Sequence, residues 1–333
     1  MTTFGQSINH ALHRLLAENI KVLLLGEDIR DPYGGAFKIT RGLSKKFSER
    51  VINTPISESA ITGIGTGLAM NGFLPIVEIM FGDFLTLCCD QIVNHASKFR
   101  WMFNDKVSVP LIIRTPMGGY RGYGPTHSQT LEKIFLGIPG IEIVAPSLFH
   151  NPGNLLKYCV AKKEFTLFVE NKVNYPKELI DMTALNEYDC KVIGECNDQT
   201  VIIKNKNQEV DVTLLCYGGM ASFAQEAASE VFLKEEIASE VIIPSRIKPL
   251  NLAPVVDSID KSGRLIVIEE GTLENGWGSE IVAKLQNLLF GKFIKPISRV
   301  AGKNMPIGNA VTIERDCLPT KETIKLAIMD LFQ

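Results

Sequence analysis

Val22-Leu23-Leu24-Leu25-Gly26-Glu27-Asp28 is the stretch that decides the fold class. Four aliphatic residues run without a polar break and stop at a glycine and two acids. That pattern describes a strand buried on both faces, with its C-terminal end opening into a loop. Upstream, residues 4–19 place Ile8, Ala11, Leu12, Leu15 and Leu16 on one helical face. Downstream, Asp31-Pro32-Tyr33-Gly34-Gly35 is a turn by composition. A helix around 42–47 and the strand Val51-Ile52 follow. The alternation continues through a strand at 74–80, a helix at 83–97, and strands at 109–114, 141–145 and 166–170, with a helix near 155–161. After a polar interval it resumes with strands at 212–217, 240–243, 263–269 and 296–300 and helices at 221–234, 276–289 and 321–331. Strands alternating with helices predict an α/β protein of two doubly wound domains, at 1–175 and 200–333, joined by a linker at 176–199.

The chain has 333 residues, 45% of them apolar and 22% charged, with a net charge of −2. No basic tract marks a nucleic-acid surface, and no apolar run is long enough to span a membrane. No charged-then-apolar signal or Arg-rich transit segment precedes the first helical pattern, so a cytoplasmic location is expected. Seven cysteines lack metal-type pairing and read as reduced small hydrophobes. The usual cofactor signatures are missing. Gly63-Ile64-Gly65-Thr66-Gly67 lacks dinucleotide spacing, and there is no phosphate-binding Gly-x-x-x-x-Gly-Lys loop, nucleophile elbow or zinc spacing.

Two stretches stand out. In Thr54-Pro55-Ile56-Ser57-Glu58-Ser59, the proline forces an extended approach, Ser57 is placed to cap the next helix, and Glu58 is a first-turn acid favoured by the helix dipole. The loop from Met117 to Gln129 combines glycines, two tyrosines, Arg121 and His127 after a parallel strand, where ligand sites lie in this architecture. An imidazole there can serve as a proton donor or an anion partner, or be bonded into a turn. The glycines of 63–70 make a poor helix, which is sensible where another backbone comes close.

Five blocks in order carry a resemblance: Gly26-Glu27-Asp28, Thr54 to Glu58, Asp90 to Lys98, Gly122 to Gln129, and Pro139-Gly140. With them, the chain resembles the beta subunit of thiamine-diphosphate-dependent 2-oxo acid dehydrogenases, the decarboxylating component of pyruvate, branched-chain and acetoin complexes. Glu269-Glu270-Gly271 and Gly276-Trp277-Gly278-Ser279-Glu280 resemble the transketolase-type C-terminal domain of that family. The resemblance implies that residues 1–175 bind the cofactor's aminopyrimidine ring. Glu58 would hydrogen-bond a ring nitrogen and favour the imino tautomer that generates the ylid; a carboxyl in a mostly apolar pocket can share its proton. Met80 would line the pocket and Phe84 would stack near the ring, although plain core packing explains either equally well. His127 would face the substrate, binding its carboxylate or moving a proton during acyl transfer. Leu111 and Cys159 match positions whose carbonyls hold a monovalent cation, such as potassium, in some relatives, but Lys162 beside them is a departure.

The family's Gly-Asp-Gly…Asn-Asn motif for diphosphate and magnesium lies on the alpha subunit. Here Gly82-Asp83 is followed by Phe84. The expectation is an alpha2beta2 heterotetramer, with a lipoyl acyltransferase as further partner and a 2-oxo acid as substrate. Two alternatives remain open: a split transketolase-like or biosynthetic carboligase, and a non-catalytic assembly subunit.

Overall fold

The computed structural model describes residues 2–333. Six strands of the first half are β1 (Val22–Gly26), β2 (Val51–Asn53), β3 (Leu74–Glu78), β4 (Ile112–Met117), β5 (Glu142–Val144) and β6 (Thr166–Asn171). The second half contributes β7 (Tyr188–Ile193), β8 (Thr200–Asn205), β9 (Val212–Cys216), β10 (Ser239–Pro244), β11 (Arg246–Lys248), β12 (Leu265–Thr272) and β13 (Ser298–Gly302). The helices are α1 (Phe4–Glu18), α2 (Leu43–Lys46), α3 (Glu58–Met70), α4 (Phe99–Met102), α5 (Pro152–Lys162), α6 (Met220–Glu235), α7 (Ala253–Ser262), α8 (Trp277–Leu288), α9 (Val311–Cys317) and α10 (Lys321–Asp330).

β1 is flanked by two parallel partners, with Leu24 opposite Val51 on one side and Ile76 on the other. All five of its residues are buried, as an unbroken aliphatic run requires between two helical layers. The first sheet runs β11-β5-β6-β4-β3-β1-β2 and the second β13-β12-β9-β10-β8-β7. One apolar cluster packs Leu25, Val77 and Ile113 of the first sheet together with Leu215, Val267 and Trp277 of the second half. The two α/β halves therefore share core. Among the described residues no helix is long and apolar enough to cross a membrane.

Several elements depart from the sequence pattern. β11 crosses over and pairs antiparallel with β5, so a strand of the second half completes the first sheet. The interval at 176–199 contains β7, an edge strand paired antiparallel with β8. Its half-buried Tyr188 and Cys190 alternate with exposed Asp189 and Lys191, a one-sided pattern that its polar composition masked. β8 and α7 were not anticipated. The single helix expected at 83–97 is instead two segments: tight 3-10 turns at Gly82–Cys88, then a wide π-wound turn at Gln91–Ala96. In the wide turn the Ser97 N–H reaches the Ile92 carbonyl at 3.1 Å.

Candidate active site

The C-terminal ends of β1, β3, β4 and β6 point to one mouth, where parallel α/β sheets bind ligands. β1 delivers Glu27, and the turn after β2 leads into α3, whose first residue is Glu58. Glu58 is 7% exposed. Its backbone carbonyl accepts the Cys88 thiol at 3.5 Å, while its carboxylate is free of internal hydrogen bonds among the described residues. Ser57 stands at the N-cap position, but its hydroxyl makes no capping bond. The expected cap is thus absent; the Ser57 backbone N–H faces the Glu27 carboxylate instead. Burial and the neighbouring Glu58 and Asp28 charges push the Glu27 carboxyl above its ordinary range, and the Ser57 N–H opposes them. One buried Glu27 oxygen, Oε1, has no hydrogen-bond partner. Two carboxyl groups therefore crowd the start of α3.

After β3 come Met80 and Phe84, both half-buried. Phe84 packs at 5.8 Å from Phe81 and 5.3 Å from the His127 ring, and Phe81 meets His127 edge-on at 4.7 Å. The structure thus brings Phe84 and His127 into one aromatic cluster. The His127 Nδ1 lies 2.9 Å from the Thr126 hydroxyl.

The loop bearing His127 is anchored from the second half of the chain. The Glu270 carboxylate accepts the Gly119 N–H at 2.6 Å and the Asn171 amide at 2.7 Å. Gly118 has φ 93°, and a Cβ there would lie 2.7 Å from Glu270 Oε1, so only glycine fits. Glu314 accepts the N–H groups of Arg121 and Gly122 at 3.2 and 3.1 Å. The Tyr120 hydroxyl donates to the Pro319 carbonyl at 2.5 Å. Lys172, fully buried, donates to the His127 carbonyl at 2.6 Å.

Beneath the mouth lies a buried ionic layer. Arg114 donates to both Glu170 oxygens, at 2.8 and 2.7 Å, and also to Glu78. The Tyr175 hydroxyl donates to Glu170 at 2.6 Å. Burial opposes the Arg114 charge, but Glu170 and Glu78 outweigh it and raise the group's pKa. Such a two-pronged pair fixes the spacing of β3, β4 and β6. Glu132 is also buried and takes the Tyr217 hydroxyl across the domain boundary. Burial first, then Glu269 and Glu270, lift its carboxyl to about 7 against the Tyr217 bond.

Leu111 and Cys159 lie away from this mouth. The Leu111 carbonyl accepts the Thr166 N–H at 2.9 Å, and Cys159 is buried in α5. The Lys162 ammonium nearby is paired with Glu142 and, at 3.1 Å, with Glu164. Sequence reasoning assigned no role to Glu27, Lys172, Glu270 or Glu314. For the first two a signal existed: each is a charged residue at or just past the C-terminal end of a parallel strand. Glu270 and Glu314 act on the loop from more than 140 residues away, which no local pattern shows.

Comparison with known proteins gives a consistent result. Residues 1–178 match the family "Transketolase, pyrimidine binding domain", and residues 200–324 match "Transketolase, C-terminal domain". The chain is 34% identical over 324 residues to pyruvate dehydrogenase E1 component subunit beta-1, mitochondrial, of Arabidopsis thaliana, covering 97% of this chain and 87% of that one. It is 33% identical to the 2-oxoisovalerate dehydrogenase subunit beta of Bacillus subtilis, covering 99% and 98%. A similar 33% relates it to the acetoin:2,6-dichlorophenolindophenol oxidoreductase subunit beta of Cupriavidus necator, covering 96% and 94%. Among solved structures, a split gene transketolase described as an inactive beta4 tetramer superposes with a TM-score of 0.77, at 20% identity, over 99% of this chain and 98% of that one. That likeness concerns the fold.

Proposed function

Because the chain belongs to the family of beta subunits of thiamine-diphosphate-dependent 2-oxo acid dehydrogenases, we propose that Glu58, Met80, Phe84 and His127 form its half of a shared active site. The protein is the beta half of an oxidoreductase that decarboxylates a 2-oxo acid. The observation that carries the site assignment is the Glu58 carboxylate: nearly buried, at a helix start, beside a second carboxyl, and free of internal hydrogen bonds.

These residues fit the aminopyrimidine end of thiamine diphosphate. An acid without an internal partner is ready for a ring nitrogen, and half-buried Met80 and Phe84 give an apolar wall. When bound, the cofactor supplies the carbanion chemistry. Glu58 then holds and releases a proton at its carboxyl oxygen. Met80 and Phe84 keep water off that carboxyl. His127, held on the Phe81 and Phe84 edges, offers its imidazole to the substrate carboxylate or to a proton in transit.

An alpha subunit would hold the diphosphate and magnesium in an alpha2beta2 heterotetramer, and a lipoyl acyltransferase would receive the acyl group. Support comes from the surface next to Glu58. Ile56, Ile64 and Leu87 are 84%, 52% and 57% exposed. A Cβ on Gly67 would meet nothing within 4 Å, leaving that helix face free. Gly65 differs: its Cβ would lie 2.7 Å from Val77, so this glycine serves packing within the chain. Leu111 and Cys159 would offer backbone carbonyls to a monovalent cation such as potassium; the Lys162 ammonium near Cys159 is paired with Glu142 and Glu164. A cytoplasmic location completes the proposal.

Co-expression with an alpha subunit carrying Gly-Asp-Gly…Asn-Asn, assayed on a panel of 2-oxo acids with a lipoylated protein, tests the reading. It predicts CO2 release coupled to acylation of the lipoyl group. Decarboxylation ending in carbon–carbon bond formation, without acylation, would move the chain to the carboligases. A cofactor-loaded complex inert on every acid would make it an assembly subunit.

A further inference from the structure

We propose that Lys172 is a positioning residue for His127: its buried ammonium fastens the far arm of the Gly-rich loop and fixes where the imidazole stands. The proposal rests on the role given to His127 above.

Lys172 directly follows β6 and is 0% exposed. Burying a lysine is unfavourable, so its retention in a core calls for an interaction that uses the charge. Three contacts tie it to the loop. Its N–H donates to the Met117 carbonyl at 3.0 Å, where the loop begins. Its carbonyl accepts Arg121 Nη1 at 3.3 Å, in the middle. Its Nζ donates to the His127 carbonyl at 2.6 Å, near the end. By contrast, the His127 N–H has only a long contact of 3.4 Å to the Gly124 carbonyl. The ammonium is thus the short tie on the His127 backbone.

One aromatic ring links the ammonium to the imidazole. Nζ stands 5.3 Å from the Phe81 ring centre, and the same ring meets the His127 imidazole at 4.7 Å. The Tyr123 ring lies 6.0 Å from Nζ. A cation on an aromatic face is favourable and fixes the ring's tilt. Removing the charge would free the His127 carbonyl and loosen the ring on which the imidazole rests.

Protonation separates this role from simple core filling. Burial, the largest cause, lowers the Lys172 pKa to about 8; Asp83, Glu270 and Glu314 oppose the fall and Arg121 adds to it. A lysine with a depressed folded pKa binds more protons when unfolded, between about 8 and the usual lysine value near 10.4. Stability therefore rises as pH rises through that window, while the charged clamp on His127 is lost. A filler lysine would let activity follow stability; a positioning lysine makes the two move in opposite directions.

The test uses the complex with its alpha partner and the variants Lys172→Met, Lys172→Gln, His127→Asn and the double His127→Asn/Lys172→Met. Steady-state rates are measured against pH, and hydrogen exchange is measured over residues 118–129. Lys172→Met is expected to assemble and to lower kcat by about 10- to 100-fold, with KM changed less than about threefold. The alkaline fall in rate near pH 8 should disappear, and amide exchange at residues 124–129 should rise. The double variant should be no slower than His127→Asn alone. Lys172→Gln serves if the methionine variant does not fold. Wild-type kcat and pH profile in a folded Lys172 variant would overturn the proposal, as would losses that multiply in the double variant. If His127→Asn keeps full activity, the role of His127 fails instead, and unchanged loop exchange in Lys172→Met would then sink the clamp by itself.

Discussion

Around Glu58, exposed Ile56, Ile64 and Leu87 border a helix face on which Gly67 meets nothing. Around His127, the loop is held by Glu270 and Glu314 from the second half of the chain and by Lys172 just past β6. One end of the site is left open and the other is closed by the same polypeptide. Under the proposed function, the proton-handling acid awaits a surface from another chain, whereas the loop bearing the histidine is held within this one, by Glu270 and Glu314 at its start and by Lys172 at His127.

The largest expected effect lies at the open end. Glu58→Gln should cut decarboxylation by roughly 10²- to 10⁴-fold, the usual range for a general acid–base group. Its stability should change by no more than about 1 kcal/mol, because among the described residues the carboxylate has no hydrogen bond to lose and its dipole contact is opposed by the neighbouring Glu27 carboxyl. Steady-state assay and thermal unfolding of the complex check both halves. A variant that unfolded in proportion to its lost activity would erase the contrast between the two ends.

The closed end should respond to pH. Glu132 is held near 7 by burial, well above the ordinary carboxyl value. A raised folded pKa means that the native state binds the extra proton. The stability that Glu132 contributes is therefore highest at low pH, falls as pH rises from about 4.5 to about 7, and is flat above. The swing amounts to at most about 3 kcal/mol. Glu132→Gln should flatten this part of the profile in pH-dependent unfolding. An unchanged slope would remove Glu132 from the inter-domain closure.

Gly65 and Gly67 of α3 lie on the two sides of the same contrast. Gly65→Ala should destabilise the chain by about 1–3 kcal/mol through overpacking against Val77. Gly67→Ala should raise the isolated chain's stability by about 0.5–1 kcal/mol, as alanine does in a helix, while weakening assembly. Denaturant unfolding and analytical ultracentrifugation separate the outcomes. Equal losses at both positions would show the two faces to be alike.

How much of this was readable beforehand follows local physics. β1, the start of α3 at Glu58 and the Gly-rich loop announce themselves through short-range patterns: an aliphatic run, an acid after an extended proline segment, and clustered glycines. What escaped depends on distant partners. β11 is three residues long and pairs with β5 about 100 residues earlier, so its own sequence carries no sign of the first sheet. The expected Ser57 cap yielded to the carboxyl of Glu27, delivered by another strand. The helix expected at 83–97 had a sound apolar period, yet the chain there winds first as 3-10 turns and then as a wide turn, both packed against α3. Lys172 escaped because a charged residue just past a strand end is normally solvated; only the fold buries it.

Hydrogen exchange of the chain with and without an alpha partner separates the open α3 face from the closed loop. New protection is expected across residues 56–70 and 82–94, with residues 117–129 already protected in the chain alone. Protection that appeared only at 117–129, with the α3 face unchanged, would contradict that expectation.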